Sequence, residues 1–310
     1  MNIGEIARKV LPESAVSSLV RAGKRYRQAK IARLPVLNED DFKSLLTGAL
    51  GLADGDTVYV HSSVDQLNLG FPFYRVLPLI QNVIGERGTV LFPTYPNRGR
   101  MSSHEYLARG EVFDVRRTPS YTGLLTEFAR RQRGAVRSLH PTKSVCAIGA
   151  SAEELTREHH LSPYPYDVRS PYRKLVDFRA KIIGLGVWTT YLSFVYTLDD
   201  ALKENPPVRT YAPELFAAPC IDREGRRVVV ETYAHDMSHV VHDIPRYVRK
   251  YIPAEVCRDL TIEGMKFFRA EAAPLFEVML RLATREGVTC YPRRLYTREF
   301  LNSLPTQKKS

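Results

Sequence analysis

The chain has 310 residues, 44% of them hydrophobic and 25% charged, the balance of a soluble globular protein with one large domain or two ordinary ones. Lys and Arg number 45 against 34 Asp and Glu, a formal net charge of +11 that favours anionic partners and disfavours a strongly cationic one. No apolar run approaches the roughly 18 residues that span a bilayer. The opening MNIGEIARKVLPESAV lacks the apolar centre of a secretory signal, so a cytoplasmic location is expected.

Residues 1–36 carry +6 of the +11. They read as one or two basic helices, broken near Pro12, with an apolar stripe of Ile3, Ile6, Val10, Val16, Leu19 and Val20. Such an extension suits packing on a partner subunit, which would make a homodimer, or lying on an anionic membrane surface. A nucleic-acid arm is the least favoured use, and no nucleic-acid partner is expected.

From residue 37 to 303 the pattern is that of one α/β domain, followed by a short tail, 304–310. Asn38 is placed to cap a helix with Asp40 and Asp41 in its first turn, and Phe42, Leu45, Leu46, Ala49 and Leu50 follow helical spacing. TVYV is a short apolar strand ending at His61-Ser62-Ser63. The unit recurs: a helix through Val76, Leu77, Leu79, Ile80 and Val83, then strand TVLF ending at Pro93-Thr94-Tyr95. TPSYTGLLTEFARRQRG is predicted as a helix stopping at Gly134. SVCAIG is a strand, SAEELTREHH a helix capped by Ser151 with a solvated His159-His160 pair at its end, and AKIIGLG another strand. Beyond Val208 a hairpin is expected around REGRRVVVETY. GMKFFRAEAAPLFEVMLRLATREG is read as an amphipathic helix, kinked near Pro274. Strands alternating with helices give an α/β fold with a mixed, mostly parallel central sheet flanked by helices.

Cys146, Cys220, Cys257 and Cys290 lie far apart with no CxxC pair, so buried free thiols are expected rather than a disulfide framework or a zinc ribbon. No Walker motif and no GxGxxG is present, which disfavours a nucleoside triphosphatase or a dinucleotide enzyme. Ligands of open α/β sheets sit beyond the carboxyl ends of the strands. That directs attention to His61-Ser62-Ser63, to Thr94, to Gly186–Thr190, and to Thr118, Ser120, Thr122 and Gly123 at a helix start suited to phosphate.

VYVHSSV, GERGTVLFPTY, FDVRRTPSYTGLLTEFARR, RSLHPTKSVCAIG and SPYRKLVDFRAKIIGLG occur in that order. Together they resemble the successive motifs of the aminoglycoside 3-N-acetyltransferase family, over roughly residues 38–300. The resemblance implies that family's single-domain fold and metal-free transfer of acetyl from acetyl-coenzyme A to an amine of an aminosugar. It places His61, Ser62, Ser63, Thr94, Thr118, Pro119, Ser120 and Gly123 at the coenzyme, with Arg116 and Arg117 close enough to meet its phosphates.

One stretch departs from the pattern. After the GLG strand the family carries a Thr, a His that takes the amine proton and a Glu that orients it. A base with a pKa near 7 suits that task. In TTYLSFVYTLDD, counting from Thr190, Ser193 and Tyr196 stand at the two positions, and Lys143 replaces a second His of the family. Three explanations stay open. Another residue serves as base, with His61, His140, Asp114 and the histidines of 235–242 as candidates. The acceptor is a hydroxyl or a less basic amine. Or the chain binds without catalysing, as a scaffold. The constellation favoured is His140, Asp114 and Ser193. His235, His239 and His242 would share a helix face if AHDMSHVVHD were helical, yet no metal is expected. The positive charge points to a nucleotide-linked or lipid-linked sugar, as in polysaccharide synthesis, over a polycationic antibiotic.

Overall fold

The computed structural model describes residues 13–99, 101–237 and 240–305. The expected break at Pro12, the helix before it and most of the tail lie outside them. α1 (Glu13–Ile31) is the basic helix, and most of its residues from Arg21 onward are exposed. α2 (Glu39–Thr47) follows, with the Asn38 side chain accepting the N–H groups of Asp40 and Asp41 as expected. Then come β1 (Thr57–Ser62), α3 (Val76–Ile84), β2 (Thr89–Pro93), α4 (Ser103–Ala108), β3 (Phe113–Asp114), α5 (Leu124–Arg130), β4 (Val136–Arg137) and β5 (Val145–Gly149). α6 (Ala152–Thr156) and α7 (Pro171–Asp177) lead to β6 (Lys181–Leu185). Two 3-10 turns, Thr189–Tyr191 and Ser193–Tyr196, precede α8 (Thr197–Ala201) and the hairpin β7 (Tyr211–Ile221) and β8 (Arg227–His235). The chain ends with α9 (Ile244–Tyr251), β9 (Cys257–Ile262), β10 (Met265–Glu271), α10 (Ala272–Arg281) and α11 (Arg298–Ser303).

Seven strands form one mixed sheet in the order β4-β5-β2-β1-β6-β10-β9. Parallel pairing is confined to its centre, β2-β1-β6, and every other pair is antiparallel, so the sheet is less parallel than expected. The reason lies in the connections. The central strands are joined through helices, whereas β9 and β10 meet through a tight turn in which Glu263 and Gly264 both have positive φ. β1 and β2 are buried along nearly their whole length, as strands covered on both faces must be. Leu46, Ile80, Phe92 and Phe267 fill one face of the sheet, and Tyr166, Tyr172, Phe194 and Phe268 the other. Each such buried side chain contributes about 1.5–3 kcal/mol. β7 and β8, with β3 parallel to β7, form a smaller sheet.

Residues 265–271, expected within a long helix, form β10. Phe267 and Phe268 point to opposite faces of the sheet, and that period-2 burial overrides the helical spacing of the residues that follow. Pro274 falls in the first turn of α10, where a missing N–H costs no helical hydrogen bond. Ser151 does not cap α6 with its side chain; its N–H bonds to Thr89 Oγ1 instead. Among the described residues no helix is long and apolar enough to cross a membrane.

Candidate active site

Where the carboxyl ends of β1, β2 and β6 meet the start of α5, a cavity of about 390 Å3 opens. His61, Ser62, Ser63, Gly123, Tyr191 and Ser193 are among its walls, with Pro93 and Tyr95 from the end of β2. β1 runs one residue further than its ladder, because Ser63 N–H bonds to Leu185 O at 2.9 Å. The chain then leaves β6 sharply at Gly186, whose φ of +74° and close approach to Ser63 O exclude a side chain: a Cβ there would sit 2.2 Å from that oxygen. Gly123, at φ +142°, brings the start of α5 against Ser62 in the same way, with a Cβ position 3.4 Å from Ser62 O.

His61 is 6% exposed, and its Nε2 has no hydrogen-bond partner among the described residues. Burial pushes its pKa down to about 3, so the ring is neutral. It packs edge-on to Tyr59, whose hydroxyl lies 3.5 Å from Ser193 Oγ. Tyr172 bonds to the Tyr95 hydroxyl at 2.7 Å and to the Lys143 carbonyl at 3.1 Å. The Lys143 ammonium lies 5.1 Å from the centre of the Tyr95 ring, and burial lowers its pKa to about 8. One side of the cavity is therefore a linked set of hydroxyls backed by a weakened lysine.

The expected coenzyme residues divide into two groups. His61, Ser62, Ser63 and Gly123 line the cavity. Thr94, Thr118, Pro119 and Ser120 do not: Thr94 is fully buried at the end of β2, and the segment before α5 that carries the other three is a loop and not the predicted helix. Arg137 donates to the carbonyls of Thr118 and Thr94, tying that loop to the end of β2. Thr94 Oγ1 also bonds to Ser144 O, and Thr118 Oγ1 accepts the Asp114 N–H. Ser120 is buried in a knot of hydroxyls with Thr122 and Thr126, its N–H on Glu127. Pro119, Arg116 and Arg117 are exposed. These residues build the wall from behind.

His140 and Asp114 are likewise structural. His140 is fully buried; its Nδ1 accepts the N–H groups of Thr142 and Lys143, its Nε2 lies 3.3 Å from Thr232 Oγ1, and its ring stacks on His159. Asp114 Oδ1 accepts the N–H groups of Arg116 and Arg117 in a local turn. Neither lines the cavity, and of the three favoured catalytic residues only Ser193 does. His159, expected in solvent, is 1% exposed and bonds to Ser138 and to Pro165 O. The four cysteines are free and buried, as expected.

The departing stretch also reaches a second set of polar groups. His235 ends β8 and His242 precedes α9, so these two share no helix face, and His239 lies outside the described residues. His235 Nε2 lies 3.9 Å from Asp199 Oδ2, both buried, while Tyr291 donates to Asp199 at 2.6 Å. Beside it Asp200 accepts the Tyr211 hydroxyl and the Tyr166 N–H, and burial raises its pKa to about 7. Half-buried His242 has its Nε2 3.3 Å from the Tyr196 hydroxyl. Tyr196 is the residue that stands at the family's Glu position, whereas Tyr191 and Asp199 carry no signal in the sequence beyond following the end of β6, on the first 3-10 turn and on α8. Among the described residues no group of three or more His, Cys, Asp or Glu is gathered to hold a metal.

A sequence profile described as aminoglycoside 3-N-acetyltransferase matches residues 59–284. Aminoglycoside N(3)-acetyltransferase VII of Streptomyces paromomycinus is 32% identical over 174 residues, 52% of this chain and 59% of that protein, so the match spans less than two thirds of the relative's length. Among solved structures, aminoglycoside acetyltransferase AAC(3)-Xa superposes with a TM-score of 0.67 at 23% identity, covering 91% of this chain and 99% of that one. AAC-IIIb in its binary complex with CoASH superposes with a TM-score of 0.64 at 23% identity, covering 79% of this chain and 96% of that one. At these identities the superpositions establish the fold.

Proposed function

Since the chain belongs to the aminoglycoside 3-N-acetyltransferase family, we propose that it transfers an acetyl group from acetyl-coenzyme A to the amine of an aminosugar. The observation that carries this reading is the cavity at the carboxyl ends of β1, β2 and β6, about 390 Å3 in volume and lined by His61, Ser62, Ser63, Gly123 and Ser193. Acetyl-coenzyme A supplies a thioester: as the amine nitrogen bonds to its carbonyl carbon, the C–S bond breaks and the thiolate leaves. His61, buried and neutral, forms part of that cavity's wall. Ser193 sets its hydroxyl against the reacting end, with the Tyr59 hydroxyl 3.5 Å behind it.

The amine must shed a proton, and in this reading His242 receives it, either directly or through the Tyr196 hydroxyl. His242 is half-buried, and desolvation lowers its pKa, which keeps the ring neutral and able to accept. His140 and Asp114 are not given this role: neither lines the cavity, His140 is held by the N–H groups of Thr142 and Lys143 and by Thr232 Oγ1, and Asp114 Oδ1 accepts the N–H groups of Arg116 and Arg117. The net charge of +11 supports an acceptor on an anionic carrier, as in surface-polysaccharide assembly, over a polycationic antibiotic.

The test is a calorimetric titration with acetyl-coenzyme A on wild type and Ser193→Leu, followed by thiol release with a panel of amines. Micromolar binding weakened by Ser193→Leu, with thiol released by an aminosugar, supports the reading. Absence of saturable binding overturns it. Binding without turnover of any amine points to a non-catalytic member. Efficient turnover of gentamicin-class antibiotics and none of nucleotide-linked aminosugars overturns the anionic-carrier part.

A further inference from the structure

A second cavity, of about 530 Å3, lies between α9 and the turn before α11. Arg246 and Lys250 face it from α9, and Arg293 and Arg294 from the turn. Its acids are already engaged: Asp243 caps α9 by accepting the Arg246 N–H, and Glu286 pairs with Arg281 at 3.1 Å. Among the described residues the four cationic side chains have no carboxylate partner. Its walls are aromatic, with Tyr247, Tyr291 and Tyr296. Tyr247 stands in that wall, 4% exposed, with its hydroxyl buried and without a hydrogen-bond partner among the described residues.

His242 lines this cavity too, and its contact with Tyr196 joins it to the 3-10 turn that starts at Ser193 in the coenzyme cavity. A sugar whose carrier occupied the basic cavity would thus present its amine on the His242 side of that contact. We infer that this cavity takes the nucleoside diphosphate carrier of the acceptor sugar. The phosphates lie against Arg246, Arg293 and Arg294, and the base lies against the tyrosine walls. The inference rests on the acetyltransferase reading and names its acceptor. A polycationic acceptor would meet unpaired like charges here.

A phosphate-bearing nucleotide has two sources, the acceptor and the coenzyme itself, and titration separates them. Uridine diphosphate and coenzyme A are each titrated into wild type, the Arg293→Glu/Arg294→Glu double variant and Tyr247→Phe. The expected result is uridine diphosphate binding that weakens at least tenfold in the double variant and is little changed in Tyr247→Phe, which keeps the aromatic wall, with coenzyme A affinity unchanged. Both arginines are exposed and Tyr247→Phe keeps the ring, so the variants are expected to fold. Uridine diphosphate that fails to bind, or binds the double variant as well as wild type, overturns the inference. Loss of coenzyme A affinity in the double variant also overturns it, because the cavity then holds the coenzyme's nucleotide end. If coenzyme A fails to bind wild type while uridine diphosphate follows the expected pattern, the cavity assignment stands and the acetyltransferase reading falls.

Discussion

The Tyr196 hydroxyl lies 3.3 Å from Nε2 of His242, joining the 3-10 turn Ser193–Tyr196 to the basic cavity that His242 lines. Tyr196 closes the turn that lines the coenzyme side, and His242 belongs to the basic side. In the proposed acetyl transfer this contact carries the amine proton. His242→Gln is expected to lower kcat by about 10^2–10^4-fold, the range for losing a general base. Tyr196→Phe, which keeps the ring, should lower it less, by about tenfold. Acetyl-coenzyme A affinity, measured by titration, should be unchanged in both. A His242→Gln enzyme with normal kcat would remove the residue from the chemistry.

Gly186 is the hinge of the coenzyme cavity. Alanine there meets both a positive φ and Ser63 O at 2.2 Å. Gly186→Ala should cost at least about 2 kcal/mol from backbone strain plus displacement of Ser63, seen as a melting temperature several degrees lower. It should also abolish acetyl-coenzyme A binding. Gly225, in the β7–β8 turn, is the control: its φ is +85° but nothing lies within 4 Å of its Cβ position. Gly225→Ala should show only the strain, about 1 kcal/mol, with binding intact. Equal behaviour of the two variants would deny Gly186 its part in shaping the cavity.

Much of this site is legible in the strand ends. VYVHSS reads as a buried strand delivering His61, Ser62 and Ser63, and the structure puts them in the cavity. The segment around Ser120 misleads because Ser and Thr serve helix caps, loop knots and phosphate sites alike. Only the packing shows their hydroxyls spent on one another and on Pro93 O. His140 misleads for a related reason, since a histidine in a polar motif looks reactive until its two nitrogens are found committed to Lys143, Thr142 and Thr232. The Tyr196–His242 and His235–Asp199 contacts join residues 36 or more positions apart, and no local pattern announces them.

Glu127 holds the wall segment in place. It accepts the Ser120 N–H and pairs with Arg130 and Arg131. Although partial burial opposes its charge, the Arg130 and Ser120 hydrogen bonds win and hold its pKa at about 2. A depressed carboxyl pKa gives stability that is present above the ordinary value near 4.5 and lost as pH falls towards 2. Glu127→Gln should therefore destabilise at neutral pH by about 1–3 kcal/mol, and the difference from wild type should shrink below pH 4. Urea unfolding of both proteins at pH 7 and pH 3.5 checks it. A difference that grows on acidification would reverse the sign of the argument.

Four buried histidines set the acid limit of the fold. Burial pushes His61 and His159 to about 3, and His140 and His235 well below the ordinary value of 6.5. As pH drops below about 6.5 the unfolded chain takes up protons that the folded one refuses, so stability falls, by about 1.4 kcal/mol per pH unit for each ring. Asp199 and Asp200 act in the opposite direction. Their carboxyls are raised by burial, Asp200 to about 7, so the folded state holds protons there that the unfolded chain has released. Between pH 6.5 and about 5 the histidines outnumber the aspartates, and the net loss is of order 3 kcal/mol per pH unit. Denaturant midpoints at pH 7, 6 and 5 should fall steeply and together by fluorescence and circular dichroism. His159→Gln should flatten that slope even where it lowers stability at pH 7. Midpoints that stay level from pH 7 to 5 would mean the rings are reached by water and protonated in the folded protein.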